Sequence, residues 1–62
     1  MLKADVRVGQ TVKVNQGAFK NDIFKVESLP MEFDGIWCVG LKKDEHSSEV
    51  WLQVGYLDLV TS

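Results

Sequence analysis

Apolar and polar residues alternate along short runs of this chain, and this period of two is the feature that most restricts its fold. Val12 and Val14 alternate with Thr11 and Lys13, and similar alternation recurs between turn-forming residues further along. Alternation gives a strand one apolar face, whereas a helix needs apolar residues three and four apart over about ten or more positions. No stretch keeps the helical spacing for that long. The sequence therefore predicts an all-β fold.

Five strands are expected, at residues 11–14, 23–29, 35–41, 49–54 and 57–60, after a leading segment at residues 1–9. Pro30 has no N–H group for sheet pairing, and with Asp34 and Gly35 it predicts a loop at residues 30–35. Trp37, in the third strand, is expected to be buried. Alternate residues of each strand, whose side chains lie on one face, supply the remaining core. This core is predicted to comprise Val12, Val14, Phe24, Val26, Val39, Val50, Leu52 and Leu57.

The chain has 62 residues, which is enough for one domain, 1–62, with one core. Short strands leave unpaired edges, and closing or nearly closing the sheet into a small barrel removes them. Cys38 is the only cysteine, so no disulfide can form within the chain and a cytoplasmic location is expected. The apolar runs are only a few residues long, far short of the roughly 20 that a membrane helix needs, so no membrane partner is expected.

A short stretch of the chain, residues 12–26, resembles the KOW motif of one branch of SH3-like barrels. Val14, Gly17, Phe19, Lys20 and Val26 match that motif in register, while Asn21 and Phe24 stand where it has glycines. The chain end, residues 54–60, is also similar to the closing turn and short last strand of this fold. The resemblance implies a five-stranded SH3-like small barrel related to KOW and Tudor-type domains, which bind nucleic acid, methylated side chains or larger protein assemblies.

Groups for catalysis are sparse. The single histidine, His46, lies in a polar loop beside two serines, and adjacent loop residues rarely adopt the geometry of a catalytic triad. The metal-ligand spacings CxxC and HxxH are absent from the sequence, and so is a glycine-rich phosphate-binding loop. We expect a protein that is not an enzyme and that holds no cofactor or metal.

Binding residues are easier to identify. Phe19 and Phe33 lie outside the alternating core pattern in expected loops, and Trp51 lies on the outward phase of its strand. Such aromatic side chains anchor protein interfaces, although each could instead fold back to cover an open barrel end. Lys20, beside Phe19, suits an acidic group. The predicted partner-binding residues are therefore Phe19, Lys20, Phe33 and Trp51.

The charges leave two function classes open. The total charge is −2, but residues 1–25 carry five basic residues against two acidic ones, whereas residues 26–62 carry two against seven. The leading hypothesis is a small protein-interaction module, or accessory protein, that docks on a larger assembly through an aromatic-lined barrel face. The alternative is a nucleic-acid-binding KOW-like barrel of transcription or translation that uses Arg7, Lys13, Lys20 and Lys25. A small core also leaves a homo-oligomer open.

Overall fold

A computed structural model describes residues 1–61 and contains five strands: β1 (Thr11–Val14), β2 (Ile23–Phe33), β3 (Ile36–Lys42), β4 (Val50–Gln53) and β5 (Leu57–Leu59). The helical segments in this part of the chain are two short 3₁₀ turns, Lys3–Asp5 and Val54–Tyr56. The predicted all-β fold with five strands is therefore confirmed. No helix in the described residues is long and apolar enough to cross a membrane.

The five strands form one antiparallel sheet in the order β4-β3-β2-β1-β5. β2 is the central strand, since its residues 23–25 pair with β1 and its residues 25–33 pair with β3. β4 and β5 are the two edge strands. The closed sheet expected from the sequence is thus not present as a continuous ring of paired strands within residues 1–61.

β2 is longer than its sequence indicates. The expected strand ends at Leu29 and is followed by a loop at residues 30–35, but β2 continues through Pro30 to Phe33. The prediction of a loop is wrong because the pairing of β2 with β3 shifts register between Ser28 and Met31. A bulge of this kind is one of the few places in a sheet that tolerates proline, which has no N–H group to donate.

A two-residue turn joins β2 to β3. Asp34 and Gly35 have φ angles of 51° and 80°, and they connect the paired residues Phe33 and Ile36. Two consecutive positive φ angles are typical of the tight hairpin turn whose twist matches that of the strands, and Asp-Gly is one of its preferred sequences. The turn fixes the register of residues 31–33 of β2 against residues 36–38 of β3, and with it the face on which their side chains lie.

The core lies on one face of the sheet and consists of Val6, Val12, Val14, Phe24, Val26, Val39, Leu41, Val54 and Leu57. Six of the predicted residues are in it, but Val50 and Leu52 are only half-buried and pack against its margin. Both lie on β4, an edge strand, which has fewer neighbours to cover its side chains. Val6, Leu41 and Val54 are core residues that the predicted list omits.

Trp37 is not in the core, contrary to expectation. Its ring lies on the core side of β3, two residues before Val39, but beyond the end of the buried cluster, and 37% of the residue is exposed. The ammonium group of Lys3, from the first 3₁₀ turn, lies 3.7 Å from the centroid of a Trp37 ring. A cation–π contact with the leading segment therefore takes the place of apolar packing.

Candidate functional site

An apolar surface lies on the sheet face opposite the core. Side chains of paired residues in an antiparallel sheet share a face, as do those two residues apart along a strand. The pairs Phe33–Ile36, Met31–Cys38 and Trp51–Gly40 are connected through β3 in this way. We call this surface the apolar outer face, and it consists of Met31, Phe33, Ile36, Cys38 and Trp51.

Phe33 and Trp51 are in direct contact on this face. Their ring centroids are 5.5 Å apart and the ring planes meet at 74°, an edge-to-face arrangement. Phe33 is in β2 and Trp51 is in β4, so the two rings meet across β3, which separates these strands. The β3 residues on that side are small, since Cys38 and Gly40 occupy the middle of the strand. Small side chains there leave room for the two rings to meet.

Much of this surface is open to solvent. Met31, Phe33 and Ile36 are 53%, 47% and 46% exposed, and Cys38 and Trp51 are half-buried. A lone exposed apolar residue is ordinary in a folded protein, whereas a contiguous group that includes two aromatic rings is a candidate interaction surface. The apolar outer face is therefore the candidate site.

A hydrogen bond borders the apolar outer face beside Trp51. Ser28 Oγ donates to Glu49 Oε2 at a distance of 2.8 Å, and this bond joins β2 to the residue just before β4. The bond passes over Gly40, where an added Cβ atom would lie 2.9 Å from both Glu49 Oε2 and Ser28 Cβ. Glycine at this position thus allows a carboxylate to lie against the sheet next to the tryptophan.

Carboxylates border the apolar outer face at two opposite ends of that face. Glu49 lies beside Trp51, and Asp34 is exposed in the turn after Phe33. The one ion pair within 4.0 Å in the described part of the chain is a different one, formed by Lys43 with Asp22 at 3.2 Å. The carboxylates of Glu49 and Asp34 therefore have no lysine or arginine partner among residues 1–61.

Phe19 and Lys20 lie away from the apolar outer face. Phe19 is half-buried and its ring meets that of Phe24 edge to face, with centroids 5.8 Å apart, so that it packs against the core. This is the arrangement in which a loop aromatic covers an end of the core. Lys20 is exposed in the same loop, where its backbone N–H group donates to the carbonyl of Gly17. Of the four predicted binding residues, the structure brings together Phe33 and Trp51.

The basic residues of the alternative hypothesis are brought together only in part, since Lys13 and Lys25 share a sheet face on β1 and β2. The Arg7 guanidinium folds back on the leading segment and donates to the carbonyls of Ala4 and Val6. Lys13 lies opposite Asp58 on β5. Lys25 lies opposite Lys42, and both line an open cleft whose other lining residues are Glu27, Lys43, Asp44 and Glu45.

The polar loop between β3 and β4 is ordered by Asp44. Its carboxylate accepts hydrogen bonds from the N–H group of His46 at 2.8 Å and from Ser47 Oγ at 3.0 Å. These donors stabilise the ionised form and hold the pKa of Asp44 below its usual value. His46 thus contributes its backbone N–H group as a donor, and His46 itself is exposed to solvent. Within residues 1–61, no three His, Cys, Asp or Glu side chains are grouped so as to hold a metal ion.

Three members of the site, Met31, Ile36 and Cys38, are not among the binding residues predicted from the sequence. The assignment of residues 30–35 to a loop removed Met31 and Phe33 from any strand face. A usable signal was present, since Met31 and Phe33 alternate with Glu32 and are followed by an Asp-Gly turn. Extending the alternation through Pro30 would have placed these residues on one face with Ile36.

Comparisons with known proteins give no match: no family model matches the chain, no curated protein matches its sequence and no solved structure matches its fold.

Proposed function

We propose that this domain is a non-enzymatic protein-interaction module that docks on a larger assembly through the apolar outer face. The observation that carries the proposal is the contact between exposed Phe33 and half-buried Trp51 on the side of the sheet that faces away from the core. Aromatic rings supply large contact areas and are enriched among the residues that dominate binding energy. The single thiol, Cys38, lies on this face and fits a reducing compartment, so we assign the module to the cytoplasm.

We further propose that the sheet curls into an SH3-like barrel. Its edge strands, β4 and β5, would lie about 19 Å apart in a flat sheet, since neighbouring strands are about 4.8 Å apart. The 3₁₀ turn Val54–Tyr56 joins them directly, and with a rise of about 2.0 Å per residue it spans much less than that. The two register shifts in β2 supply the bend that such a curl requires.

The KOW-like loop is compatible with this barrel. Asn21 stands where the motif has glycine, and its φ angle of 74° is one that asparagine tolerates better than most residues. Phe24, which replaces the second glycine, is buried in the core. The loop therefore keeps a glycine-like backbone at one position and uses the other for packing.

Nucleic-acid binding is the second candidate, favoured by the opposed lysines Lys25 and Lys42 on one face of β2 and β3. Carboxylates from Glu27, Asp44 and Glu45 line the same cleft, and they oppose the approach of phosphates. A protein that neutralises several phosphates loses affinity steeply between about 50 and 200 mM salt. Titration of labelled DNA and RNA oligonucleotides over this range tests the candidate directly.

The protein-interaction proposal is tested with two double variants of matched exposure. Phe33→Ala/Ile36→Ala removes half-exposed side chains from the apolar outer face. Ile23→Ala/Leu59→Ala removes side chains of the same exposure, 47% and 46%, elsewhere on the sheet. The parent and both variants are immobilised and exposed to nuclease-treated cell lysate, and bound proteins are identified by mass spectrometry.

We expect the parent and the Ile23/Leu59 variant to retain the same proteins and the Phe33/Ile36 variant to lose them. Thermal melting of all three establishes that each is folded. Equal retention by both variants contradicts the proposal. Proteins retained from untreated lysate but lost after nuclease treatment support the alternative.

A further inference from the structure

We infer that the partner presents a short apolar segment flanked by basic residues, an inference that depends on the proposed docking role of the apolar outer face. The charges around this face and its size both favour such a segment. Both are properties of the strands that form it, β2, β3 and β4.

Carboxylates outnumber lysines along the strands that form the apolar outer face. Residues 25–53, which span most of β2 together with β3, β4 and their connections, contain six carboxylates and three lysines. One lysine, Lys43, is paired with Asp22, and the other two, Lys25 and Lys42, lie opposite each other toward the far end of β3. A partner with basic groups therefore gains electrostatic attraction on approach, and an acidic partner is repelled.

Two of these carboxylates flank the apolar side chains along β3. Glu49 lies over Gly40, and Asp34 lies in the turn that precedes Ile36. The strand from Ile36 to Gly40 is about 14 Å long at a rise of about 3.4 Å per residue. An extended segment that follows β3 covers this length with about four residues. Basic side chains on either side of those residues come close to the two carboxylates.

The size of the apolar outer face also favours a segment over a second copy of this chain. A stable dimer needs about 800 Å² of buried surface on each partner, close to a fifth of the 4168 Å² that this domain exposes. The apolar outer face measures only about 10 by 14 Å, since it extends across two strand spacings. A symmetric dimer formed through it would also place each copy's acidic border against that of the other.

A random dodecapeptide library displayed on phage tests the inference. The library is selected on the immobilised parent domain and, in parallel, on the Phe33→Ala/Ile36→Ala variant. Sequences enriched only on the parent bind at the apolar outer face. Synthetic peptides of these sequences are then titrated against the isotope-labelled domain and followed by NMR.

We expect the parent-specific sequences to contain an apolar core of about four residues with lysine or arginine on both sides. The variants Asp34→Asn and Glu49→Gln remove one charge each, while Asn tolerates the positive φ at position 34 and Gln keeps an acceptor for Ser28. Each should weaken binding about two- to fivefold, the range of a solvent-exposed ion pair. Asp58→Asn, on β5, is the matched control and should leave affinity unchanged.

The outcomes separate this inference from the proposed function. Parent-specific sequences without an excess of basic residues, or equal affinity for the Asp34 and Glu49 variants, overturn the inference and leave the docking face in place. No parent-specific sequence overturns both. Sedimentation that shows a dimer dissociated by Phe33→Ala/Ile36→Ala also overturns the inference, because the second copy then occupies the face.

Discussion

Ser28 and Glu49 are joined by a hydrogen bond of 2.8 Å that crosses the middle of β3, the strand that lies between β2 and β4. The contact is possible because residue 40 is glycine. A Cβ atom at that position would lie 2.9 Å from Ser28 Cβ, closer than such atoms approach in proteins. Glycine at position 40 thus allows the hydrogen bond that connects the central strand β2 to the segment that carries Trp51.

Gly40→Ala should destabilise the domain by about 1 to 3 kcal/mol, the usual cost of inserting a methyl group into a packed site. The carboxylate of Glu49 can rotate away, but Ser28 Cβ is fixed to the backbone of β2, so the strands must separate. The free energy of unfolding, measured in urea, reports the loss. Gly55→Ala is the control, because nothing lies within 4 Å of a Cβ atom at that position, and a cost as large there would contradict the steric argument.

Strand β1 is an element that the local sequence pattern predicts correctly. Residues 11–14 alternate cleanly, and the structure has a strand with those bounds. Its register is also simple, since Val12 and Val14 are both buried and a shift of one residue would expose them. The tight turn at residues 34–35 has an equally clear sequence signature.

β2 shows where local pattern fails. Pro30 predicts a strand end from its own chemistry, but the register shift beside it removes the need for its N–H group. That shift depends on the partner strand, which the residues around Pro30 do not specify. The error placed Phe33 in a loop and hid its neighbours Met31 and Ile36, so the candidate site was predicted in part only.

Leu41→Ala should cost more stability than Val50→Ala. Leu41 is fully buried in β3, whereas its paired residue Val50 is half-buried in the edge strand β4. Leucine truncation in a core typically costs about 2 to 5 kcal/mol, which approaches the whole stability of so small a domain. We expect Leu41→Ala to be largely unfolded and Val50→Ala to keep a cooperative thermal transition. A larger loss of stability in Val50→Ala than in Leu41→Ala would mean that β4 contributes more to the core than β3.

Phe19→Ala should lower stability by about 2 kcal/mol, less than the cost at a fully buried phenylalanine because this ring is half-buried. The loss includes its edge-to-face contact with Phe24. Lys20→Ala, at the exposed neighbouring position, should change stability by less than about 0.5 kcal/mol. Chemical denaturation of both variants provides the measurement. A Phe19→Ala variant that is as stable as the parent but has lost its partner would restore Phe19 to the binding site.

The loop between β3 and β4 should lose its order in acid. The donors His46 N–H and Ser47 Oγ–H favour the ionised form of Asp44 and so lower its pKa in the folded state. The stabilisation from these contacts is present when the pH is above the pKa that Asp44 has in the unfolded chain. It is lost as the pH falls through the lower, folded-state pKa.

An NMR titration of the Asp44 carboxyl group measures this shift. The parent should titrate at lower pH than the same aspartate in an unstructured peptide of residues 42–48. Ser47→Ala removes the hydroxyl donor at 3.0 Å and should raise the pKa of Asp44 toward its usual value. Ser48→Ala removes a hydroxyl one residue further along and should leave that pKa unchanged. An equal rise in both variants would contradict the assignment, because it would locate the cause in the loop as a whole instead of in the bond from Ser47.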